Sequence, residues 1–265
     1  MGEIVFVGLG LHDDLGINLR GLEEIRKANY VFIELYTSLL PGFSFKRFEG
    51  LCAKKLRMVS RKMLEEENGN AIIEAAEKGK VVFLVPGDPL IATTHVALRI
   101  EAEKRGVKTR IVHGTSILSA AIGLSGLHNY KFGKSVTIPF PENPSETPYN
   151  VISQNRRLGL HTLCLLDINA QEKRYMKISE ALHILLKNEE KLKKQIVTSE
   201  TLAVGIARAG SSNPTVKADR IKELARYDFG DPPHMLVFPG ELHFMEAEAL
   251  IVLAGAPEDV RRHVV

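Results

Sequence analysis

The chain has 265 residues, of which 45% are hydrophobic and 25% are charged, so it can form the core of an ordinary globular protein of about two domains. The formal net charge is only +3 with neutral histidines, which gives no reason to expect a nucleic-acid surface. Two cysteines without CxxC spacing give no support for a metal or redox site, and no apolar run approaches the length of a membrane span. Because the amino terminus enters an apparent strand directly, we expect no targeting signal and a cytoplasmic location.

Short apolar runs alternate with segments of helical period along the chain, which is typical of an α/β fold. Helices are predicted in the first half at 65–78 and 94–105, the second closed by Gly106. This pattern predicts an amino-terminal α/β domain over residues 1–130. Its sheet should be parallel and contain five strands, at 4–7, 30–34, 56–60, 81–85 and 110–113.

A glycine-rich segment, 126–134, precedes a second α/β series and predicts a second domain over residues 131–265. A helix at 178–192 and a last helix near the carboxyl end each show an apolar stripe. The stripe of the first comprises Ile178, Leu182 and Leu185, and that of the last comprises Leu242, Met245, Ala249 and Leu253. The strands are expected at 136–139, 162–168, 202–207 and 235–238.

The first strand is followed by Gly8-Leu9-Gly10, and Glu34 ends the second strand, so a dinucleotide-binding fold has to be considered. However, Asp13 stands where that motif has its third glycine, and an aspartate there would repel a pyrophosphate. A tight loop that lets the backbone approach an uncharged or cationic ligand is the better interpretation.

The stretch VVFLVPGDPLIATTH, residues 81–95, reads as a buried strand that stops at a Pro-Gly turn. Asp88 in that turn is either an ordinary turn residue or a ligand-binding group. The segment Thr93-Thr94-His95 follows it, and His113 to Ile117 ends the next strand, so polar groups follow neighbouring strands. Convergent loops at the carboxyl ends of parallel strands favour a pocket there.

Two polar residues stand out in the second half. Arg208 follows a strand and can bind a carboxylate in a bidentate manner or form an internal ion pair. His234 follows two prolines and precedes a strand, and a single histidine without a visible partner is more often structural than catalytic. The residues alone therefore indicate a two-domain α/β enzyme with a ligand cleft between the domains.

Taken together, several segments resemble the signature sequences of the diphthine synthase family, which has the tetrapyrrole methylase fold. The resemblance runs in order along essentially the whole chain. It is carried by ELYTS (34–38), VPGDPLIATTH (85–95), HGTSI (113–117), GLHNYKFGKS (126–135), ARAGSSNP (207–214) and GDPPHMLVFPG (230–240).

This resemblance implies a homodimeric methyltransferase that uses S-adenosylmethionine (SAM) as its cofactor. Its substrate would be elongation factor 2, on which it would methylate the amino group of a histidine that carries a 3-amino-3-carboxypropyl arm. The resemblance further implies donor contacts at Leu11, Asp88, Ile91, Ser116, Ile117, Leu166, Ala209 and His234. Asp88 would lie near the cationic end of the donor, where an anion is favourable.

The sequence does not indicate a catalytic residue, and it leaves two other functions open. A sulfonium already has a good leaving group, so methyl transfer chiefly needs alignment of the reactants, and we name no catalytic residue or metal. The first alternative is a small tetrapyrrole as the acceptor, which the Leu90-to-His95 segment disfavours because tetrapyrrole methylases tend to have an aromatic and glycine-rich segment there. The second is a nucleotide-binding module without catalysis.

Overall fold

Two compact units make up the chain, Met1–Ile117 and Leu118–Val265. The computed structural model describes residues 2–170 and 172–264. The sequence places the domain boundary after residue 130, within the glycine-rich segment 126–134, whereas this division falls near the start of a helix at Ile117–Ser125.

The first unit alternates strands and helices. Its strands are β1 (Glu3–Gly8), β2 (Tyr30–Ile33), β3 (Arg57–Met58), β4 (Lys80–Val85) and β5 (Lys108–Val112). Its helices are α1 (Leu19–Lys27), α2 (Phe45–Cys52), α3 (Arg61–Glu65), α4 (Asn70–Lys78) and α5 (Val96–Lys104), with one 3-10 turn at Asp14–Gly16.

All five strands of the first unit form one parallel sheet in the order β3-β2-β4-β1-β5. The two central strands are buried on both faces, because alternate side chains enter two separate apolar clusters. In β4, Val82 and Leu84 pack into one cluster, whereas Phe83 and its odd-numbered neighbours pack into the other. This period of two explains why a continuous apolar run forms a central strand, and it confirms the predicted five-stranded sheet.

The predicted helix at 65–78 is wrong in its extent. The chain forms two helices there, α3 and α4, which are separated by residues 66–69. Asn68 and Gly69 have φ values of 54° and 64°, a left-handed conformation that a continuous helix does not contain. The break lies at Asn68-Gly69, a pair that favours turns, so the sequence carried a signal that the helix prediction did not use.

The second unit has more strands and a mixed sheet. Its strands are β6 (Val136–Ile138), β7 (Thr162–Leu166), β8 (Ile168–Asn169), β9 (Arg174–Tyr175), β10 (Leu202–Ala207), β11 (Thr215–Arg220) and β12 (His234–Phe238). Its helices are α6 (Ile117–Ser125), α7 (Thr147–Arg157), α8 (Ile178–Leu192), α9 (Ile221–Leu224) and α10 (Phe244–Ala254), with 3-10 turns at Asn129–Lys131 and Glu258–His263.

The main sheet of this unit has the order β11-β10-β12-β7-β6. Only β6 and β7 are parallel neighbours, and the other three pairings are antiparallel. The edge strand β11 was not predicted, because its sequence, TVKADR, is polar and mostly half-buried. The four predicted strands of the second half are all present, as β6, β7, β10 and β12.

The two apolar stripes predicted for helices have different outcomes. In α8, Ile178, Leu182 and Leu185 are fully buried, as predicted. Of the stripe predicted for the last helix, Leu242 is buried but precedes α10. Within α10 the stripe is wrong, because Met245 is 53% exposed and Leu253 is 67% exposed. Glu246, Ala247, Leu250 and Ala254 are buried instead. This helix is apolar on most of its surface, so periodicity did not identify its buried face.

Candidate functional site

Glycines bring the loops after β1, β4 and β5 into backbone contact. A Cβ atom on Gly8 would lie 2.4 Å from the carbonyl oxygen of Gly87 and 2.6 Å from the nitrogen of Gly114. The Gly87 N–H donates to the Gly10 carbonyl over 2.8 Å, and the Gly10 N–H donates to the Gly87 carbonyl over 3.1 Å. Gly10 and Gly87 have φ values of 72° and 71°, which other residues adopt at a cost. The glycines of separate motifs thus allow the backbones of these loops to lie close together at the carboxyl edge of the first sheet.

Asp88 lies at this edge and is held by two hydrogen bonds. Its side chain is 5% exposed, its Oδ1 accepts the Leu90 N–H over 3.1 Å, and its Oδ2 lies 2.7 Å from Nδ1 of His113. The first bond is the turn role that the sequence allows for an aspartate before a proline. The second bond links the loop after β4 to the loop after β5.

Five of the eight predicted donor-binding residues lie in these loops. Leu11 follows the Gly10 turn, Asp88 and Ile91 follow β4, and Ser116 and Ile117 follow β5. Because the strands are parallel, their carboxyl ends meet at one edge of the sheet, where open α/β sheets hold ligands. The structure therefore brings these five residues to the same edge of the first sheet.

The other three predicted residues share one edge of the second sheet. Leu166 is the last residue of β7, Ala209 follows the end of β10, and His234 begins β12. Both β7 and β10 run antiparallel to β12, with Leu165 opposite Met235 and Ala207 opposite His234. The ends of two strands and the start of the third are thus adjacent.

The His234 ring is fixed by both of its nitrogens. Nδ1 accepts the Ile178 N–H over 3.4 Å, so Nε2 carries the proton and donates to the Gly230 carbonyl over 3.1 Å. Burial of the ring lowers the pKa of His234. These contacts indicate a structural role for the His234 side chain, as its sequence context favoured. The backbone of His234 is then the part suited to ligand contact.

Arg208 anchors the turn that precedes β12. Its Nη1 donates to the carbonyls of Phe229 and Asp231 over 2.6 and 3.1 Å, and its Nη2 donates to Oγ1 of Thr215 over 2.5 Å. Its own N–H also donates to the Pro233 carbonyl over 2.9 Å. Arg208 therefore stabilises the 229–234 turn by donating hydrogen bonds to uncharged carbonyl and hydroxyl groups.

Glu34 is the centre of a buried polar cluster that the sequence reasoning missed. Its side chain is fully buried, and its Oε2 accepts the N–H groups of Tyr36 and Thr37 over 2.9 and 3.0 Å. Its Oε1 accepts the Thr37 hydroxyl over 2.5 Å. An acidic residue that binds the ribose of a dinucleotide must have an accessible carboxylate. The burial of Glu34 therefore disfavours a dinucleotide-binding site.

His95 completes this cluster. It is 2% exposed, and its Nδ1 lies 3.3 Å from the Pro89 carbonyl, while its Nε2 and the Tyr36 hydroxyl have no hydrogen-bond partner within the described parts of the chain. Burial lowers the pKa of His95 to about 4 and raises the pKa of Glu34. The ELYTS and ATTH segments were visible in the sequence, but nothing in their spacing indicated that they meet.

No group of three or more His, Cys, Asp or Glu side chains in residues 2–170 and 172–264 is arranged to hold a metal ion. No helix in those ranges is long and apolar enough to span a membrane.

Comparison with known proteins identifies the family. Residues 3–225 match the family model of the tetrapyrrole (corrin/porphyrin) methylases. A diphthine synthase from Methanococcoides burtonii is 48% identical over 98% of both chains, and one from Methanothermobacter thermautotrophicus is 46% identical over 97% of both. A crystal structure of diphthine synthase superposes with a TM-score of 0.90 at 45% identity, covering 99% of this chain and 100% of the other.

These matches span nearly the full length of both partners, and they agree with the parallel first sheet and the mixed second sheet described above. The fold is that of the tetrapyrrole methylases, as predicted, and the relatives are methyltransferases. The chain therefore belongs to the diphthine synthase family, the methyltransferases of diphthamide biosynthesis.

Proposed function

We propose that this methyltransferase takes its methyl group from SAM and transfers it to elongation factor 2. The acceptor is the amino group of the 3-amino-3-carboxypropyl arm on a modified histidine. The observation that carries the proposal is the near-complete match to diphthine synthases, together with the loops gathered at the carboxyl edge of the first sheet. We further propose that the enzyme works in the cytoplasm, where translation takes place.

The donor site in this proposal comprises the eight residues that the family resemblance indicates. In the first unit they are Leu11, Asp88, Ile91, Ser116 and Ile117, and in the second unit they are Leu166, Ala209 and His234. The close glycine contacts support a donor held largely by backbone groups, because only residues without a Cβ let the loops approach this closely. The Asp88 carboxylate adds negative charge at the same edge, which suits a sulfonium or an amino group.

The chemistry requires alignment of an amine with the methyl carbon of a sulfonium. The new bond forms between nitrogen and the methyl carbon, while the bond from that carbon to sulfur breaks and its electron pair moves to sulfur. Holding the two atoms in line supplies most of the needed acceleration. The amine must be neutral to attack, and free α-amino groups have a pKa of about 8.

We also propose that the enzyme is a homodimer. The outer surface of α10 supports this proposal, because Met245, Val252 and Leu253 are each more than half exposed. Large apolar side chains clustered on one exposed helix are typical of surfaces that contact another protein.

The test of the function is methyl transfer from isotopically labelled SAM to purified elongation factor 2, read by intact-mass spectrometry. A factor that already carries the carboxypropyl arm should gain mass in methyl steps, and a matched factor without the arm should gain none. The number of steps gives the stoichiometry. If the factor with the arm gained no mass while calorimetry showed SAM binding, the assigned acceptor would be wrong. If SAM did not bind, the donor assignment would be wrong.

The donor site has its own test in Asp88→Ala. Removing the carboxylate should raise the SAM dissociation constant by about tenfold, since a single charge contact at a partly buried site contributes about 1 to 2 kcal/mol. Glu65→Ala, which removes an exposed carboxylate on α3, is the control and should bind SAM as the wild type does. Unchanged SAM affinity in Asp88→Ala would contradict the assignment of Asp88.

A further inference from the structure

The pair formed by Asp88 and His113 has the geometry of an oriented base. Nδ1 of His113 lies 2.7 Å from Oδ2 of Asp88, and among the described residues no other carboxylate lies within 4.0 Å of a His113 nitrogen. A carboxylate can only accept here, so the proton of the neutral ring is on Nδ1 and Nε2 has a free electron pair. The His113 side chain is 72% exposed, although Asp88 is buried.

The backbone around the His113 ring is fixed at the ligand edge of the sheet. The Asn18 amide donates to the His113 carbonyl over 2.7 Å, and the adjacent Gly114 packs against Gly8 and Gly87. Asp88 is fixed in turn by the Leu90 N–H. A buried carboxylate that orients an exposed imidazole is the arrangement by which many enzymes prepare a general base.

Two other histidines of the proposed donor site and its surroundings, His95 and His234, are less suited to this role. Nδ1 of His95 is engaged by the Pro89 carbonyl and its ring is 2% exposed. Both nitrogens of His234 are hydrogen-bonded. His113 therefore combines an oriented ring, a free Nε2 electron pair and access from solvent.

We propose that His113 is a catalytic base that takes the proton from the acceptor ammonium before methyl transfer, with Asp88 as its positioning residue. This inference rests on the proposed function, in which the acceptor is an amine. In the proton transfer, an N–H bond of the ammonium breaks, its electron pair remains on the amine, and a new N–H bond forms at Nε2 of His113.

The neutral amine then attacks the methyl carbon of the sulfonium, and the sulfur leaves with the electron pair of the broken C–S bond. The imidazolium releases its proton to solvent before the next cycle. If more than one methyl group is added, each methylated ammonium has to lose a proton before it can attack again. The base is therefore needed for every methylation.

The decisive variants are His113→Ala and His113→Asn. The asparagine amide can still donate a hydrogen bond to Asp88, but it has no basic nitrogen, so both variants should lose the base. At pH 7 about a tenth of an amine with a pKa of about 8 is already neutral, so we expect kcat to fall by about tenfold in each variant. Because His113→Asn keeps the hydrogen bond to Asp88, its calorimetric SAM affinity and melting temperature should stay close to wild type.

The pH profile separates this role from a structural one. Above the pKa of the amine, about 8, the acceptor is already neutral and needs no base, so the deficit of both variants should shrink as the pH rises toward about 9.5. Added imidazole should partly restore His113→Ala at pH 7. A deficit that stays constant with pH, or an active His113→Asn, would overturn the proposal. A wild type that does not methylate the factor would instead contradict the proposed function.

Discussion

Nε2 of His95 lies 3.9 Å from Oε1 of Glu34, and both side chains are buried. This distance is too long for a direct hydrogen bond. The Nδ1 of His95 faces a carbonyl oxygen, so the ring proton is on Nδ1 and the unpaired Nε2 is an acceptor. Burial holds the histidine neutral, with its pKa lowered to about 4, and it raises the pKa of the glutamate.

His95 should make the protein sensitive to mild acid. The unfolded chain binds a proton at this residue near pH 6.5 and the folded chain only near pH 4, so protonation favours unfolding as the pH falls between these values. The contribution to the free energy of unfolding should decrease by up to about 3 kcal/mol over that window. Urea denaturation of the wild type and of His95→Gln, followed from pH 8 to pH 4, measures the effect.

The expected result is a smaller decrease in stability for His95→Gln than for the wild type. Glu34 has the opposite sign, because its raised pKa gives stability that is lost as the pH rises through the folded-state value. Its contribution is present in both proteins and largely cancels in the difference. His183→Gln, on the exposed face of α8, is the control for removing a histidine as such. Identical pH profiles for wild type and His95→Gln would contradict the prediction.

The sequence predicted the strands because buried strands need continuous apolar runs, and β4 with its Lys80–Val85 sequence is such a run. It missed β11 because an edge strand with one half-buried face needs no such run. In α10 the apolar residues cover most of the helix, so the pattern could not distinguish Leu250, which is buried, from Leu253, which is exposed.

The candidate site was predicted as a set of loops but without its contacts. Motif spacing placed Gly10, Gly87 and Asp88 after strands, and the parallel sheet then brought them to one edge. The bond between Asp88 and His113 joins residues 25 positions apart, and the Gly10–Gly87 pair joins residues still farther apart. Such pairings depend on strand order, which periodicity does not specify.

The glycine contacts predict that Gly8→Ala destabilises the first unit. Its Cβ would lie 2.4 Å from the Gly87 carbonyl oxygen, and both neighbouring groups are backbone, so they cannot move as a flexible side chain would. We expect the free energy of unfolding to fall by about 2 to 3 kcal/mol and SAM affinity to decrease with it. Chemical denaturation and calorimetry measure the two effects.

The matched control is Gly123→Ala. Gly123 lies within α6, and a Cβ there would meet no atom within 4 Å. Alanine is the better helix former, so this variant should gain about 0.5 to 1 kcal/mol. Equal stability of the two alanine variants would contradict the role assigned to the close approach of Gly8.

Arg208→Ala should loosen the turn before β12. The substitution leaves the carbonyls of Phe229 and Asp231 and the Thr215 hydroxyl without the guanidinium, so we expect about 2 kcal/mol of destabilisation. SAM affinity should also decrease, since His234 follows this turn and belongs to the proposed donor site. An effect confined to the KM for the elongation factor would instead assign the guanidinium to the carboxylate of the acceptor arm.

The buried carboxylate of Glu246 should be a major determinant of the stability of the second unit. Its side chain is fully buried and accepts from Nζ of Lys131 over 2.6 Å and from Nε2 of His161 over 2.9 Å. It also accepts the backbone N–H groups of His128 and His243 over 2.7 and 2.9 Å. These donors include residues of the GLHNYKFGKS segment, so Glu246 joins that segment to the start of α10.

Glu246→Gln should therefore lower the free energy of unfolding by about 3 kcal/mol. The new amide nitrogen would face groups that can only donate, and Lys131 would lose its charge partner. Hydrogen bonds to these donors hold the pKa of Glu246 at about 2 despite its burial, below its usual value of 4.5. The wild type should lose this contribution as the pH falls from 4.5 toward 2, because the unfolded chain binds a proton there first.

Denaturant titrations at pH 7 and pH 3 measure both effects, and the difference between wild type and Glu246→Gln should be smaller at pH 3. Glu200→Gln is the control, since Glu200 is 62% exposed and pairs with Lys222 on the surface. Exposed pairs of this kind contribute little to stability, so the control variant should unfold like the wild type. If Glu246→Gln also unfolded like the wild type at pH 7, its carboxylate would contribute no more than a surface charge, and the cluster would not stabilise the second unit.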